Sequence, residues 1–278
     1  MGWQRTYKRN FRIAAQMDRY GRSCAGQSAP RLYTKEKPET SRQLPHRLLV
    51  TVKRFIANLL IHGCGLRSLH GGRLLRLVRG FADELDFQHL RESNPCQAFS
   101  ERGQMYSYLQ KSYFDGDAVD YLEFGVFKGV SISQWAGLNQ HKQSRFFGFD
   151  SFEGMPENWR PGQEKGHFAV GGVMPQFDDP RIRFIKGWFE DTVPQFVRNF
   201  SPINRLVLHL DADLYASTML PLIHFTPLMR AGTLLIFDEF YDRNHEFKAF
   251  MDWQRIYKKH IRIAAQMERY GKICAELL

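Results

Sequence analysis

Six carboxylates in this chain close short apolar runs, and together they suggest one chemical site. Glu123 lies near the end of VDYLEF, Asp150 follows RFFGF, Asp211 and Asp213 follow RLVLHL as Asp-Ala-Asp, and Asp238-Glu239 follow GTLLIF. Neighbouring strands lie ~4.8 Å apart, so carboxylates at adjacent strand ends can share one ion. Asp211, Asp238 and Glu239 would form such a set. An all-oxygen group favours Mg²⁺ or a similar hard cation, and the lack of nearby His or Cys ligands argues against zinc. His209 sits inside its strand and reads as a packed or edge histidine. Asp213, two residues beyond Asp211, is placed to take a proton instead of binding the ion. Each of these acids also suits a helix N-cap, but for all four to serve only as caps is the weaker account.

A second set carries a different chemistry. Glu123 precedes a glycine turn, Gly125 to Gly129, and Ser131 opens a helical pattern, SISQWAGLNQ. Strand, glycine turn and helix N-terminus make a small-molecule cradle, because glycine admits close approach and the helix end offers free N–H donors. The spacing E-x-G-x-x-x-G is not the dinucleotide G-x-G-x-x-G. Asp150 suits hydrogen bonds from two ribose hydroxyls, or a turn, with Ser151 beside it in the loop SFEGMP. Trp188 suits stacking on a flat ring such as adenine, or simple packing.

The elements that must position these residues follow from the pattern. Strands are expected at Val119–Phe124, Arg145–Phe149, Arg181–Lys186, Arg205–Leu210 and Gly232–Phe237. Helices alternate with them at 131–140, from 190, at Ala216–Met229 and at Phe247–Lys258, after an earlier one at Gln104–Ser112. Such alternation argues a parallel, doubly wound sheet, whose ligands bind beyond the C-terminal strand ends. His260–Ala264 and Lys272–Leu277 read as a closing hairpin. Residues 157–176 are long, polar and glycine-rich, the profile of a lid.

Composition bounds the rest. A hydrophobic fraction of 43% and a charged fraction of 24% point to a folded globular chain. The longest apolar run of interest, Phe55–Ile61, is too short to span a bilayer, and no leader peptide is expected. Four cysteines without paired spacing suggest reduced thiols in a cytoplasmic setting. Residues 1–92 hold 18 Lys+Arg against 7 Asp+Glu, whereas 93–278 hold 21 against 22, so the net +10 belongs to the N-terminal third. A basic region of this kind suits peripheral contact with an anionic membrane or a solvated face; nucleic acid is not the expected partner.

The chain is therefore divided into a basic N-terminal region, 1–92, and a catalytic domain, 93–278. Within the first, 26–46 reads as a Pro/Ser/Lys-rich linker and 47–92 as helical. Residues 1–25 repeat residues 251–275 with 17 identities in 25 positions. A single pair of copies is not a solenoid. The expected origin is a duplicated gene tail joined in frame, with a swapped strand pair for dimerisation as the rival; intact-mass measurement separates a mis-assigned start from a genuine one.

Five motifs in order, EFGVFKGVS, GFDSFEGMPE, KGWFEDTVP, LHLDADLYAST and GTLLIFDEFYD, resemble the macrocin O-methyltransferase (TylF-type) family over roughly residues 100–278. The resemblance implies a Rossmann-like, seven-stranded class I methyltransferase sheet, mostly parallel with a C-terminal antiparallel hairpin. It implies S-adenosyl-L-methionine as methyl donor, a Mg²⁺-assisted O-methylation, and a hydroxyl of a sugar or natural-product scaffold as acceptor. Glu123, Gly125, Gly129 and Ser131 would hold the methionine end, Asp150 the ribose, and Ser151 and Trp188 would lie near the adenosine. Asp211, Asp238 and Glu239 would bind the metal, with Asp213 as general base. Two positions depart from the family pattern: Asp-Ala-Asp replaces Asp-Gly-Asp, and Glu239 replaces a second Asp. The basic N-terminal third matches no part of the family pattern. Two other readings stand beside it, a D-x-D metal-dependent glycosyltransferase and an inactive binding module. Oligomeric state, including a homo-oligomer, is left open by the motifs.

Overall fold

The computed structural model describes residues 71–267 and 270–278, all within the unit Arg47–Leu278. The N-terminal copy of the repeat, the linker 26–46 and residues 47–70 lie outside the described residues.

The first described element, α1 (Gly71–Ser93), crosses the boundary drawn at residue 92. Its C-terminal half buries Phe87 and Leu90 against the main core. Phe87 meets Phe247 and Tyr270 edge-on, and Glu84 and Asp86 pair with Arg243 and Arg255.

A single eight-stranded sheet organises the rest. Its strands are β1 (Gln97–Phe99), β2 (Val119–Phe124), β3 (Arg145–Asp150), β4 (Ile182–Lys186), β5 (Arg205–Leu210), β6 (Leu234–Phe237), β7 (Ile261–Met267) and β8 (Ile273–Leu277). Their spatial order is β1-β7-β8-β6-β5-β2-β3-β4. The expected strands 181–186 and 232–237 begin one and two residues later, and the closing hairpin is present. The count of seven is corrected to eight. The extra strand, β1, is three residues long with no alternation to betray it; it exists because its backbone pairs in parallel with β7.

The helices α2 (Arg102–Leu109), α3 (Val130–Leu138), α4 (Phe189–Asn199), α5 (Tyr215–Phe225) and α6 (Glu246–Tyr257) cover both faces. A turn of π-helix, Gln110–Phe114, extends α2. Strand periodicity sorts the side chains between them. Leu122, Phe124, Leu208, Leu210, Leu235 and Phe237 join one core with Val193, Leu222 and Trp253 from α4, α5 and α6. Val119, Tyr121, Val207, Leu234 and Ile236 join the other with Tyr106, Leu109 and Trp135 from α2 and α3. β2, β5 and β6 are parallel neighbours, so their carboxyl ends open on the same side.

β8 is the exception in direction. It lies between β6 and β7 and runs antiparallel to both, so its first residue arrives at the end of the sheet where its neighbour β6 finishes.

Candidate active site

The strand ends are held in ladder contact beyond the strands themselves. Asp211 N–H donates to Phe124 O at 2.9 Å, Gly125 N–H to Phe149 O at 3.0 Å, and Asp238 N–H to Leu210 O at 3.1 Å. This brings the glycine turn against the Asp-Ala-Asp segment. Gly125 has φ +93°, and a Cβ there would lie 1.8 Å from Asp211 O. Only glycine permits both the backbone conformation and the contact. The turn then ends at Gly129, the left-handed N-cap of α3.

One cavity opens over these ends. Gly125, Phe127, Asp150, Ser151, Phe168, Trp188 and Phe189 line one part of it, and Asp211, Asp213 and Glu239 another. The structure thus gathers seven of the eleven candidate residues around one space. Glu123, Gly129, Ser131 and Asp238 do not line it.

Asp150 organises its own surroundings. Its Oδ2 accepts the N–H groups of Val126 and Phe127, both at 2.8 Å, and its Oδ1 accepts that of Phe152 at 2.7 Å. By lone-pair count Oδ1 keeps one position open, and Asp150 shares its cavity with Phe127, Phe168, Trp188 and Phe189. Ser151 Oγ accepts from Glu153 N–H at 3.1 Å and closes the neighbouring turn. A carboxylate beside Trp188, Phe127 and Phe168 suits a nucleoside: polar contact for its sugar, flat apolar surface for its base.

The acidic half is electrostatically tense. Asp213 is buried, and burial, reinforced by Asp211 and Glu239, pushes its carboxyl up to about 8. Burial likewise raises Asp211, an effect that Lys272 opposes. Asp213 also adopts φ +58°, a left-handed backbone that is uncommon for non-glycine residues but that aspartate accepts more readily than most. Oxygen-only donors that repel one another fit a hard divalent cation, which would relieve the repulsion.

Glu123 lies in a buried polar chain beneath the cavity. Tyr121 hydroxyl donates to Glu123 Oε2 at 2.5 Å and meets His209 Nδ1 at 2.6 Å. His209 Nε2 meets Asp238 Oδ1 at 3.0 Å, and Lys272 Nζ pairs with the same oxygen. Burial lowers His209 to about 4, so the ring is neutral near pH 7. Ligand atoms of His209, Asp211 and Asp238 lie within 4.8 Å of one another, a grouping that includes the histidine and omits Glu239. Ser131 Oγ, buried on the same side, accepts from Arg102 at 3.2 Å.

The expected lid, 157–176, has no helix or strand and is tied to both halves. Val170 and Gly172 N–H groups donate to Phe152 O, Trp159 Nε1–H to Asp242 Oδ2 at 2.8 Å, and Arg160 to the Tyr241 hydroxyl at 2.8 Å. No motif in the sequence marks Tyr121 or Lys272, and His209 reads there as a packed or edge histidine, yet all three join the buried polar chain beneath the cavity. Tyr121 and Glu123, two apart in one strand, share a face, which was the one local signal available.

The family model for macrocin O-methyltransferase (TylF) matches residues 104–275. The chain belongs to this family. Among curated relatives of this family member, the 8-demethyl-8-(2,3-dimethoxy-alpha-L-rhamnosyl)-tetracenomycin-C 4'-O-methyltransferase of Streptomyces olivaceus is 35% identical over 147 residues, 45% of this chain and 54% of that protein. The mycinamicin III 3''-O-methyltransferase of Micromonospora griseorubida is 40% identical over 155 residues, 48% of this chain and 59% of that protein. The chain thus spans little more than half the length of these relatives. A solved calicheamicin methyltransferase aligns at a TM-score of 0.48 with 19% identity, covering 87% of this chain and 99% of that one. No helix among the described residues is long and apolar enough to cross a membrane.

Proposed function

We propose that this macrocin O-methyltransferase family member transfers a methyl group from S-adenosyl-L-methionine to a hydroxyl of a sugar or sugar-bearing natural product, assisted by Mg²⁺ or a similar cation. The observation that carries the reading is the single cavity that sets Asp150 and Trp188 beside Asp211, Asp213 and Glu239. By their names, the curated relatives above methylate a rhamnosyl tetracenomycin and mycinamicin III, which favours an acceptor of that class.

Asp150 would hold the ribose through its open lone pair, with Trp188, Phe127 and Phe168 around the adenine. Gly125 would let the methionine end lie close to the backbone, while Glu123 and Ser131, which do not line the cavity, would support the cradle from below. Asp211 and Glu239 would hold the cation from the cavity side, with Asp238 behind them. When bound, the cofactor supplies an activated methyl and the cation a Lewis acid. Asp213, ionised once a cation offsets the repulsion of Asp211 and Glu239, would accept the hydroxyl proton as the new O–CH₃ bond forms and the S–CH₃ bond breaks. Positioning and deprotonation are what the protein must add.

Calorimetric titration of S-adenosyl-L-methionine, with and without Mg²⁺, tests this on the wild type, Asp150→Ala and Asp211→Ala. Binding is expected to be lost in the first variant and retained in the second, with melting curves run alongside to separate lost binding from lost fold. No binding by the wild type would sink the assignment, and nucleotide-sugars would be titrated next.

A further inference from the structure

Among the described residues, the acidic cluster contains one buried lysine, delivered by the only strand that runs against the sheet. In the antiparallel register Leu234 faces Glu276, Leu235 Ala275, Ile236 Cys274 and Phe237 Ile273. One step further sets Lys272 opposite Asp238. A parallel strand in that place would bring its last residue here; the reversed β8 brings the residue before its first. The side chain is buried and pairs with Asp238 Oδ1, the oxygen that also meets His209 Nε2. Both contacts fall on Oδ1. Burial works against the ammonium, Asp211 and Glu123 attract it, Arg102 repels it, and the Tyr106 hydroxyl lies 3.4 Å away.

We propose that Lys272 is a built-in counter-cation and a positioning residue. It holds Asp238 in place in the folded chain, so that the divalent cation is needed only by the cavity-facing carboxylates, Asp211 and Glu239. Two acids at adjacent strand ends repel, and a buried carboxylate left unpaired is costly. An ammonium held there by strand register offsets that cost whether or not a divalent ion is bound, whereas a dissociable ion offsets it only while bound. The protein is then folded and able to bind cofactor before any metal arrives. The inference rests on the methyl-transfer reading for the identity of the divalent cation, but the ion pair itself is tested without cofactor.

The experiment is a double-mutant cycle on the full chain, Lys272→Met, Asp238→Asn and both together, with melting measured in chelator and in Mg²⁺. Wild type is expected to melt a few degrees higher in Mg²⁺ than in chelator, the gain given by an ion that only the native state binds. Lys272→Met should melt on the order of 10 °C lower in chelator and regain at least half of that in Mg²⁺. Lys272→Arg should keep the small wild-type response to Mg²⁺, and the double variant should be more stable than the two single losses added together. Should Lys272→Met not fold, the double variant, with both charges gone, is expected to fold. Additive losses, or an unfolded double variant, would overturn the ion pair; a Lys272→Met loss that Mg²⁺ does not relieve would overturn the counter-cation role. Cofactor titration of the wild type fails only if the methyl-transfer reading fails, which keeps the two distinct.

Discussion

Adding one methyl group at Gly125 should separate two costs that usually arrive together. Gly125 and Gly116 have nearly the same φ, +93° and +92°. A Cβ at Gly116 meets nothing within 4 Å, while one at Gly125 lies 1.8 Å from Asp211 O. Gly116→Ala therefore isolates the conformational cost, about 1–2 kcal/mol for an L-residue in this region. Gly125→Ala adds a steric demand. Ordinary contact begins at 3.4 Å, so the two backbones must part by 3.4 − 1.8 = 1.6 Å. That shift breaks or stretches the Asp211-to-Phe124 and Gly125-to-Phe149 bonds, which lie on either side of the contact. At about 1 kcal/mol each, the total approaches ~4 kcal/mol. For a domain of this size that is ~12 °C in melting temperature, against ~4 °C for Gly116→Ala. Thermal melts of both variants measure the difference directly. If the two melt within about 2 °C of each other, the strand ends are not packed as described and the argument fails. Calorimetry on the same samples should find S-adenosyl-L-methionine bound at least tenfold more weakly by Gly125→Ala and unchanged in Gly116→Ala.

Three further outcomes are expected. Asp150→Ala leaves three backbone N–H groups without their acceptor, so the melting temperature should fall by a few degrees as cofactor binding disappears; a variant that keeps full affinity would remove Asp150 from the site. Asp213 holds its proton up to about 8 against an ordinary 3.8, so between about pH 4 and 8 the native state binds more protons than the unfolded chain. Its contribution to stability is therefore complete below pH 4 and lost as pH rises through about 8; Asp213→Asn should flatten that decline in melts across the range, and should cut turnover by about 10²–10⁴-fold with cofactor affinity kept. Trp159→Phe removes the bond to Asp242 that ties the lid to the acidic half, so KM for the acceptor should rise about 3–10-fold while cofactor affinity holds; equal loss of both would place Trp159 in the general scaffold.

Much of this architecture was legible in local pattern. The runs VDYLEF and RLVLHL are nearly unbroken apolar stretches, as strands buried on both faces must be, and both form strands at the residues expected. Asp211 follows the second run directly because a parallel sheet exposes its residues at the ends and not along the middle, whereas Glu123 lies inside the first run and is buried. The glycine turn was equally plain, since a bend between a strand and a helix N-terminus must use residues that accept left-handed backbone. β1 was not legible. Three residues carry no period, and only pairing with a strand more than 160 positions away makes them a strand.

The site divides along the same line. Residue type and strand-end position were sufficient to nominate Asp150, Asp211, Asp213 and Glu239, all of which line the cavity. They were not sufficient to show that Glu123 is buried against Tyr121, that His209 bridges to Asp238, or that Lys272 arrives opposite Asp238. Those facts depend on which strand lies beside which, and in what direction. Hydrophobic alternation reports which face of a strand is buried, but it is blind to neighbours and to orientation, because a strand reads the same whether its partner runs with it or against it. The chain by itself determined the chemistry available at the strand ends. The reversed, inserted β8 decided which of those acids has a cation of its own.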